Sequence, residues 1–575
     1  MARMRHSNER EPRRAPREVS EGIANTKTGR ASAIMATGTL VSRILGFVRQ
    51  WLLVAAIGGF GIADAFNTAN TLPNTLYNLL AGGILNAILV PTIVRTLANN
   101  KGKDGTDQVN ALLTLASVLL LGLTVLTVLL AWPLMWLFAG GMEKNMFNLA
   151  VIFALWCLPQ IFFYGTYALF GQVLNSLSSF GPYMWAPVVN NLIGIAGLGL
   201  FLTLYGTVPA HNFDVSTWGF GRIALLAGTM TFGIVVQALI LVFPLKNLGF
   251  ELRANFHFRG LGFRQTGRVA AWAFVGLVCD ATMNLIVTRI GSEANGAGEV
   301  TGVFYASNAI FSYTTLLYML PQSLVTTSVA TSVFTAMAYH ATRNNLPALA
   351  EDYVKGVRLS SLFTLPLAGM LIVGALPLAN LTASVLPPEQ AHALAVILII
   401  LSLGIPGQTI FSSTTRVFYS LENTRTLALL MLWLPLLTAT LGLFAFLVLD
   451  PSWWVMMAAA GEPLGLTLIS ILAIAWLQRH GFPAGFWREI LNHYLRCIIA
   501  VVLAALPAWV LLHWGFSVPQ ADSGLRATLL SGLFRSLTVG AVMAPLYFLF
   551  AWLMNVTEVR SGLNKVISRF RQHTS

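Results

Sequence analysis

The stretch that decides the fold lies between Lys144 and Asp214, where no Asp, Glu, Lys or Arg occurs. Residues 146–174 read MFNLAVIFALWCLPQIFFYGTYALFGQVL, and residues 183–205 read YMWAPVVNNLIGIAGLGLFLTLY. A bilayer crossing needs about 20 mostly apolar residues, and both runs are longer than that. The segment between them, NSLSSFGP at 175–182, is typical of a turn. The stretch therefore predicts two membrane-spanning α-helices.

The whole chain has the same apolar character. Of its 575 residues, 56% are hydrophobic and 10% are charged, and the mean hydropathy is +0.70. Soluble domains carry about 25% charged residues, so this composition excludes a soluble enzyme, a nucleic-acid-binding module and a disordered protein. The cysteines Cys157, Cys279 and Cys497 lie far apart in apolar runs. They indicate packing residues, and neither a disulfide framework nor a metal cluster is expected.

Apolar runs of this kind predict an all-α polytopic membrane protein with about fourteen transmembrane helices. The runs are too long and too uniformly apolar for the strands of a barrel. The predicted helices cover residues 34–57, 65–95, 109–139, 147–173, 182–205, 223–245, 268–289, 303–338, 356–379, 391–417, 425–449, 453–478, 491–513 and 528–554.

The distribution of Lys and Arg predicts the orientation. With the N-terminus inside, the cytoplasmic segments hold 27 of the 35 basic residues and the outer loops hold 4. Cytoplasmic loops are enriched in Lys and Arg, so both termini are expected in the cytoplasm. The net charge of +13 is then mainly a topology signal, and no nucleic-acid partner is expected.

A short internal similarity predicts the domain organisation. Residues 72–76 read LPNTL and residues 320–324 read LPQSL, each in the second helix of a predicted six-helix half. We expect two repeats of the same orientation that rock around a central site. The predicted segments are a disordered basic tail (1–30), an N-terminal lobe (31–245), a cytoplasmic linker (246–267), a C-terminal lobe (268–478), two extra helices (491–554) and a second basic tail (555–575).

The first predicted helix carries two arginines, Arg43 and Arg49, within the sequence SRILGFVRQ at 42–50. Charges inside membrane spans are costly and usually face a cavity or a partner. Guanidinium groups match phosphate with bidentate geometry. The pair therefore predicts an anionic, phosphate-bearing ligand, the alternative being structural ion pairs or arginines that extend to the interface.

The second predicted helix carries a polar stripe formed by Asp64, Asn67, Asn70, Asn74 and Asn78. These positions span about 120° of the helix circumference. One interpretation is hydrogen bonding between helices. The other is a wall of a water-filled cavity that offers donors and acceptors to sugar and amide groups.

Further charges inside predicted spans are Asp280, Glu462 and Arg535, and Asp280 shares a helix face with Asn284 and Thr288. The acids are candidates for gating or ion coupling, with structural ion pairs as the alternative. No histidine spacing, Walker motif or glycine-rich nucleotide loop occurs. Neither catalytic nor metal-ligating residues nor cofactors are predicted.

Several short motifs resemble one known family. They are SRxxGFxR at 42–49, ADAF at 63–66, LPN at 72–74, Asn175 followed by FGP at 180–182, APxxN at 186–190, RVFY at 416–419 and TRT at 424–426. Together with the number of helices they resemble the MurJ (MviN) family across nearly the whole chain. The resemblance implies a flippase that moves lipid II, the polyprenyl diphosphate-linked peptidoglycan precursor. It also implies two six-helix lobes around a central cavity, and a groove for the lipid tail along the last two helices.

The resemblance also implies roles for individual residues. Arg43 and Arg49 match cavity arginines that bind diphosphate, and Asp64 matches an acid near the outer gate. Two positions depart from the family pattern: Tyr77 and Asn308 stand in stretches where many members have arginine. The expected substrate-binding set is Ser42, Arg43, Arg49, Asn70, Asn74, Tyr77, Asn78 and Asn308. The gating or coupling set is Asp64, Asp280 and Glu462, and the cytoplasmic loop motif is Arg416, Tyr419, Thr424 and Arg425.

The leading hypothesis is thus inward-to-outward translocation of lipid II by alternating access in a bacterial plasma membrane, without enzymatic chemistry. Its expected partners are lipid II, membrane lipids and cell-wall synthesis proteins, and the membrane potential or a monovalent ion is expected to drive it. The main alternative is an ion-coupled exporter of small amphiphiles similar to MATE proteins, with Asp280 or Glu462 as the ion site. A polyprenyl-phosphate enzyme or a scaffold for cell-wall enzymes is less compatible with the loops and the intramembrane charges.

Overall fold

The computed structural model of the protein describes residues 18–82, 103–177, 179–207, 214–257, 267–321, 325, 327–515 and 525–561. Within these ranges the chain is helical and contains no β-strand, which confirms the predicted all-α fold class. Parts of both predicted tails, of the linker and of the LPQSL segment lie outside the described residues.

The first half of the chain forms α1 Glu18–Ile57, α2 Ile62–Leu76, α3 Lys103–Leu129, α4 Ala131–Ala139, α5 Lys144–Cys157, α6 Gln160–Ser176, α7 Phe180–Tyr205, α8 Phe220–Ile223, α9 Thr229–Leu239 and α10 Val242–Asn247. The second half forms α11 Gly267–Thr301, α12 Asn308–Pro321, α13 Thr327–Thr342, α14 Leu346–Val373, α15 Ala375–Thr382, α16 Pro388–Ser402, α17 Ile405–Ser420, α18 Thr424–Met431, α19 Trp433–Val448, α20 Trp454–Arg479, α21 Phe486–Trp514 and α22 Leu525–Leu553.

The described residues contain eleven helices that are long and apolar enough to cross a membrane, or twelve if α16 and α17 form one bent span. The predicted number of fourteen is not confirmed. The predicted helices 65–95 and 303–338 run into residues outside the described ranges, and for this reason they do not enter the count. The start of α1 also differs from the prediction, because residues 18–30 are helical where a disordered tail was expected.

Breaks within the predicted spans follow from local chemistry. Predicted helix 147–173 is divided into α5 and α6 at Leu158 and Pro159, since proline cannot donate the backbone hydrogen bond that would continue the helix. Helix α2 instead runs through Pro73 and passes into a π-helical turn at Tyr77–Gly82. Such turns are frequent at functional sites.

Helix packing within each half of the chain positions the polar residues. In the first half, α1 packs along α7, α7 packs on α9, and α2 packs on α5. In the second half, α11 packs on α19, and α19 packs on α20. The interior of both halves is formed by buried aliphatic and aromatic side chains, so the polar groups described below are exceptions that require partners or a ligand.

The last two helices, α21 and α22, pack on each other and on α14. The Tyr547 hydroxyl donates to the Leu362 carbonyl oxygen at 2.9 Å, and Arg358 on α14 pairs with Glu558 just after α22 at 2.7 Å. Arg535, which is buried on α22, donates to the Leu512 carbonyl oxygen near the end of α21 at 3.1 Å. Since a cation at a helix C-terminus is stabilising, this contact favours the structural interpretation of Arg535.

Candidate substrate site and gate

The N-terminal segment of the site lies where α1 crosses α7. The Asn191 amide on α7 donates to the Ser42 carbonyl oxygen at 2.8 Å and to the Ser42 hydroxyl at 3.2 Å. Gly46 lies at the same crossing, where an added Cβ would be 3.7 Å from the Asn191 amide. These hydrogen bonds fix the backbone and the side chain of Ser42, and they set the position of α1 along α7.

Arg49 reaches across α7 at a position without a side chain. A Cβ added to Gly194 would lie 2.6 Å from the Arg49 Cδ, so the arginine stem occupies the space that any larger residue would fill. The same position faces the Met230 sulfur at 3.6 Å, and Tyr164 on α6 is close enough to Arg49 to interact electrostatically with it. Helices α1, α6, α7 and α9 together position this guanidinium.

Arg43 and Arg49 of α1 have no acidic partner among the described residues. The ion pairs of the described residues involve other cations, and the Arg43 Nε is buried without a hydrogen-bond partner in the described part of the chain. Both arginine side chains are half-buried. A partly buried charge requires a counter-charge or hydrogen bonds, so the surroundings of these two guanidinium groups are compatible with the predicted anionic ligand, and that role stays a prediction.

The polar stripe of α2 divides into two parts. Asn67 is buried and donates to the Ala63 carbonyl oxygen at 2.8 Å and to the Tyr313 hydroxyl of α12 at 3.2 Å, so at this position the interhelical interpretation holds. Asn74 and Asn78 are exposed and bond each other at 3.2 Å. Asn70, between them and Asn67, accepts a weak contact from the Cys157 sulfur at 3.9 Å.

Tyr77 begins the π-helical turn at the end of α2, and its ring centre is 6.0 Å from that of Tyr164. Tyr164 is also within electrostatic range of Arg49, so the end of α2 and Arg49 both lie near Tyr164. The structure thus places Arg49 and Tyr77 in the same region of the first half.

Asp64 lies at the contact between the two halves of the chain. It is completely buried, and its carboxylate accepts from the Gly61 backbone N–H at 3.1 Å, the Asn295 amide at 2.5 Å and the Ala309 backbone N–H at 2.6 Å. Asn295 belongs to α11 and Ala309 to α12, both in the second half. We call this contact of Asp64 with Asn295 and Ala309 the Asp64 gate, after the gating role predicted for Asp64, which stays a prediction.

Other interhalf bonds surround the Asp64 gate. Asn308 is buried and donates to the Thr68 hydroxyl at 2.7 Å, and the Tyr313 hydroxyl donates to the Gly58 carbonyl oxygen at 2.9 Å. Asn308 was predicted to bind substrate, but in this conformation its amide is used within the gate. Its substrate role stays a prediction for a state in which the gate is open.

A second cluster lies in the C-terminal half. Glu462 on α20 interacts electrostatically with Asp280 on α11 and lies beside the Tyr318 hydroxyl. That hydroxyl also donates to the Gln408 side chain at 2.6 Å. Asp280 is exposed, whereas Glu462 is half-buried. The two acids predicted for coupling therefore lie within electrostatic range of each other, and Glu462 adjoins Tyr318 of α12, which bonds Gln408 of α17.

The residues of the loop motif do not form one cluster. Arg416 lies over the Phe334 ring at 5.5 Å and Arg425 over the Trp272 ring at 5.6 Å, while Tyr419 is exposed and Thr424 is buried at the start of α18. Their contacts tie α17 and α18 to α11 and α13. Cation–π contacts of this kind stabilise packing, and the geometry assigns them no ligand.

Comparison with known proteins decides the family. The family model for lipid II flippase MurJ matches residues 53–519, which is most of the chain. The chain belongs to the MurJ family. A probable lipid II flippase MurJ of Rhizobium meliloti (strain 1021) is 28% identical over 537 residues, covering 91% of this chain and 86% of the relative. The lipid II flippase MurJ of Burkholderia cenocepacia is 26% identical, covering 91% and 97%.

Solved structures agree at the level of the fold. A lipid II flippase MurJ in an inward closed conformation superposes with a TM-score of 0.61 at 18% identity and covers 89% of this chain and 98% of its own. An inward-facing MATE family transporter of the MOP superfamily has a TM-score of 0.59 at 14% identity, covering 76% and 94%. MurJ proteins thus share this fold with exporters. Membership in the MurJ family places the chain among bacterial membrane transporters and not among enzymes.

Proposed function

We propose that this protein translocates lipid II from the inner to the outer leaflet of a bacterial plasma membrane. Within a MurJ-family chain, the observation that supports this proposal is the pair Arg43 and Arg49, two partly buried guanidiniums without a carboxylate partner in the described part of the chain. The diphosphate of lipid II carries enough oxygen atoms to bind both. A MATE-like export function would not require such a pair on the first helix.

The proposed cycle uses the Asp64 gate. With the gate closed, the head group enters from the cytoplasmic side and its diphosphate binds the arginines, while the polyprenyl tail stays in lipid along α21 and α22. Both helices expose large apolar side chains such as Val502, Trp509 and Leu537, which fits contact with a lipid chain. Opening of the gate requires that the substrate or an ion has a higher affinity for the open state.

Translocation of lipid II by the purified protein in vesicles tests this function. We expect lipid II to become accessible on the opposite leaflet at a rate that depends on the protein, and we expect the gene to replace an essential lipid II flippase in cells. Folded, well-expressed protein that fails in both assays, but exports amphiphilic dyes, would favour the MATE-like function.

We further propose that Asp280 and Glu462 couple the cycle to a cation gradient or to the membrane potential. Two neighbouring acids cannot both be charged without cost, so a proton or a monovalent cation stabilises the pair. Moving one charge across the membrane contributes about 2.3 kcal/mol per 100 mV. That free energy is sufficient to bias a two-state gate by more than tenfold.

Asp280→Asn is expected to remove most of the stimulation of translocation by an imposed cation gradient or membrane potential. Lipid II binding is expected to stay within about twofold of wild type, because the substitution removes the charge of the side chain but leaves the cavity in place. Initial rates in vesicles with and without the gradient measure the effect. Asp450→Asn is a suitable control, since Asp450 is an acid that bonds only its own turn at Ser452. Unchanged gradient dependence of Asp280→Asn and of Glu462→Gln would refute the coupling role.

We propose that both termini are cytoplasmic, on the basis of the 27 to 4 distribution of basic residues. Reporter fusions placed before residue 1 and after residue 575 are expected to report the cytoplasm in both cases. An external C-terminus would indicate an odd number of membrane spans. One span would then have been missed or added, and every loop after it would lie on the opposite side of the membrane.

A further inference from the structure

Four tyrosines pack as two ring pairs in the first half. Tyr77 follows α2, Tyr164 and Tyr167 lie on α6, and Tyr183 lies on α7. The ring centres of Tyr77 and Tyr164 are 6.0 Å apart at a tilt of 32°, and those of Tyr167 and Tyr183 are 4.8 Å apart and stacked. Tyr77 is also within electrostatic range of Tyr183, so the two pairs are adjacent.

The second pair has a structural role. The Tyr167 hydroxyl donates to the Tyr183 carbonyl oxygen at 3.0 Å, and the Tyr183 ring fills the space beside Gly171, where an added Cβ would be only 2.2 Å away. This stack joins α6 to α7. It holds the backbone that presents the first pair, and it needs no ligand to explain it.

The first pair is different. The Tyr77 and Tyr164 rings are half-buried, and no hydrogen bond within the described part of the chain occupies either hydroxyl. On the α2 side, the pair is continued by the exposed amides of Asn74 and Asn78. The result is a partly exposed apolar surface edged by hydroxyl and amide groups, which is the composition of a small-molecule binding surface.

The position of this surface relative to Arg49 indicates the ligand. Tyr164 lies within electrostatic range of Arg49, so the surface lies in the same region as this guanidinium. In lipid II the diphosphate is bonded directly to the first sugar of the disaccharide. If Arg49 holds the diphosphate, as proposed above, the sugar ring lies beside it, and a pyranose offers an apolar C–H face and polar hydroxyl edges.

We propose that Tyr77 and Tyr164 form a stacking surface for the sugar of the head group and thereby select glycosylated polyprenyl diphosphates over bare ones. The inference rests on the proposed function and names the part of the substrate that this wall recognises. The Tyr77 ring offers an apolar contact to the sugar, while the diphosphate is bound by the arginines. The exposed asparagines supply hydrogen bonds to the sugar hydroxyls or to the acetamido groups.

The test compares two ligands in detergent micelles: lipid II, and polyprenyl diphosphate of the same chain length without sugar. Tyr77→Leu and Tyr164→Leu are each expected to weaken lipid II binding by about tenfold and to leave polyprenyl diphosphate binding within about twofold. Tyr77→Phe and Tyr164→Phe keep the aromatic ring, and each is expected to weaken lipid II binding by about threefold or less. Tyr205→Leu, at the far end of α7, serves as the control and is expected to bind both ligands like wild type.

Equal losses for both ligands would show that the tyrosines act through the diphosphate, and wild-type binding by both leucine variants would refute the stacking surface. If the wild type itself failed to bind lipid II, the proposed function would fail instead, so the two failures are distinguishable. A second measurement uses the unaltered protein, so its result does not depend on whether the variants fold. Nitration of Tyr77 and Tyr164 by tetranitromethane, read by peptide mass spectrometry, is expected to be slowed by lipid II and not by polyprenyl diphosphate; equal rates with the two ligands would overturn the proposal.

Discussion

Arg49→Ala is expected to weaken lipid II binding by roughly ten- to a hundredfold and to lower translocation in parallel. Hydrogen bonds to charged groups contribute about 1.5–3 kcal/mol each, and about 1.4 kcal/mol corresponds to a factor of ten in affinity. Arg43→Ala is expected to behave similarly, because no carboxylate among the residues that the structure describes pairs with either guanidinium. Binding and flipping by purified variants, normalised to folded protein, measure the effect.

Lysine variants separate charge from geometry. Arg49→Lys keeps the positive charge but loses the planar fork that binds phosphate in a bidentate manner, so an intermediate loss is expected. If the arginines were only structural, the alanine variants would reduce the amount of folded protein while flipping per molecule stayed intact. Wild-type binding by both alanine variants would rule out the diphosphate site.

The geometry of Arg49 allows an indirect version of the same experiment. Gly194→Ala places a Cβ 2.6 Å from the Arg49 Cδ and must displace the arginine stem, although it changes no charge. We expect it to reduce lipid II binding by at least about threefold, with an effect in the direction of Arg49→Ala. Gly199→Ala, on the same helix, has no neighbour within 4 Å and is the matched control.

In the Arg49→Ala background, Gly194→Ala should add little, because the stem that it displaces is absent. Additive losses in the double variant would indicate that Gly194 acts on the packing of α7 and not through Arg49. Thermal unfolding of the single variants would then show a loss of stability that Gly199→Ala does not share.

The sequence predicted the arginines of the site but not what positions them. Arg43 and Arg49 are conspicuous because charges are rare in a membrane span, and their helix is defined by its apolar residues. Gly194 carries no signal of this kind, since a glycine in an apolar helix does not reveal which side chain passes over it. The contact depends on how α1 crosses α7, and no local pattern specifies that crossing.

The polar stripe of α2 illustrates the same limit. The spacing placed Asp64, Asn67, Asn74 and Asn78 on one face of the helix, but a helix face in a two-lobed protein can meet the other lobe at one end and a cavity at the other. Asn67 is buried against Tyr313, whereas Asn74 and Asn78 are exposed. Periodicity identifies the polar face of the helix. Only the tertiary arrangement shows which part of that face contacts the other half of the chain and which part is exposed.

The partners of Asp64 are distant in sequence, which explains why they were not predicted. Asn295 is 231 residues away and Ala309 is 245 residues away, and one of them contributes only its backbone N–H. Asn308 was assigned to substrate because of its position in the helix that carries arginine in many relatives. In the structure the neighbouring Ala309 N–H and the Asn308 amide both serve the contact between halves.

Asp64→Ala is expected to open the gate. The substitution leaves the donors on Gly61, Asn295 and Ala309 buried without an acceptor, and an unsatisfied buried donor costs about 1–3 kcal/mol. The cost falls on the closed state alone, because opening exposes these donors to water. The population of the open state is therefore expected to rise by about tenfold or more.

Labelling of a cysteine at position 306 measures this shift. Ala306 is buried beside the gate with 3% exposure and makes none of the bonds to Asp64, so Ala306→Cys, in a protein whose three native cysteines are replaced, reacts slowly with a water-soluble maleimide while the gate is closed. Asp64→Ala is expected to accelerate the reaction by about the same factor as the open population. Asp450→Ala, which removes an acid outside the gate, is expected to leave the rate unchanged.

The same variant should lose transport even though its gate opens more readily. A transporter must return to the closed state to accept the next substrate, and a gate without its acceptor stays open for longer. Translocation is therefore expected to fall by about tenfold, while binding of lipid II from the cytoplasmic side weakens in proportion to the lost population of closed-gate protein. Asp64→Asn retains the size and one acceptor oxygen but turns an N–H group toward the remaining donors, and its effect should lie between wild type and alanine. If Asp64→Ala left both the labelling rate and translocation unchanged, the bonds to Asn295 and Ala309 would be a consequence of gate closure and not its cause. The free energy of the closed state would then have to come from the apolar contacts around Phe60 and Phe304. The rings of these two residues meet edge to face, with their centres 5.3 Å apart.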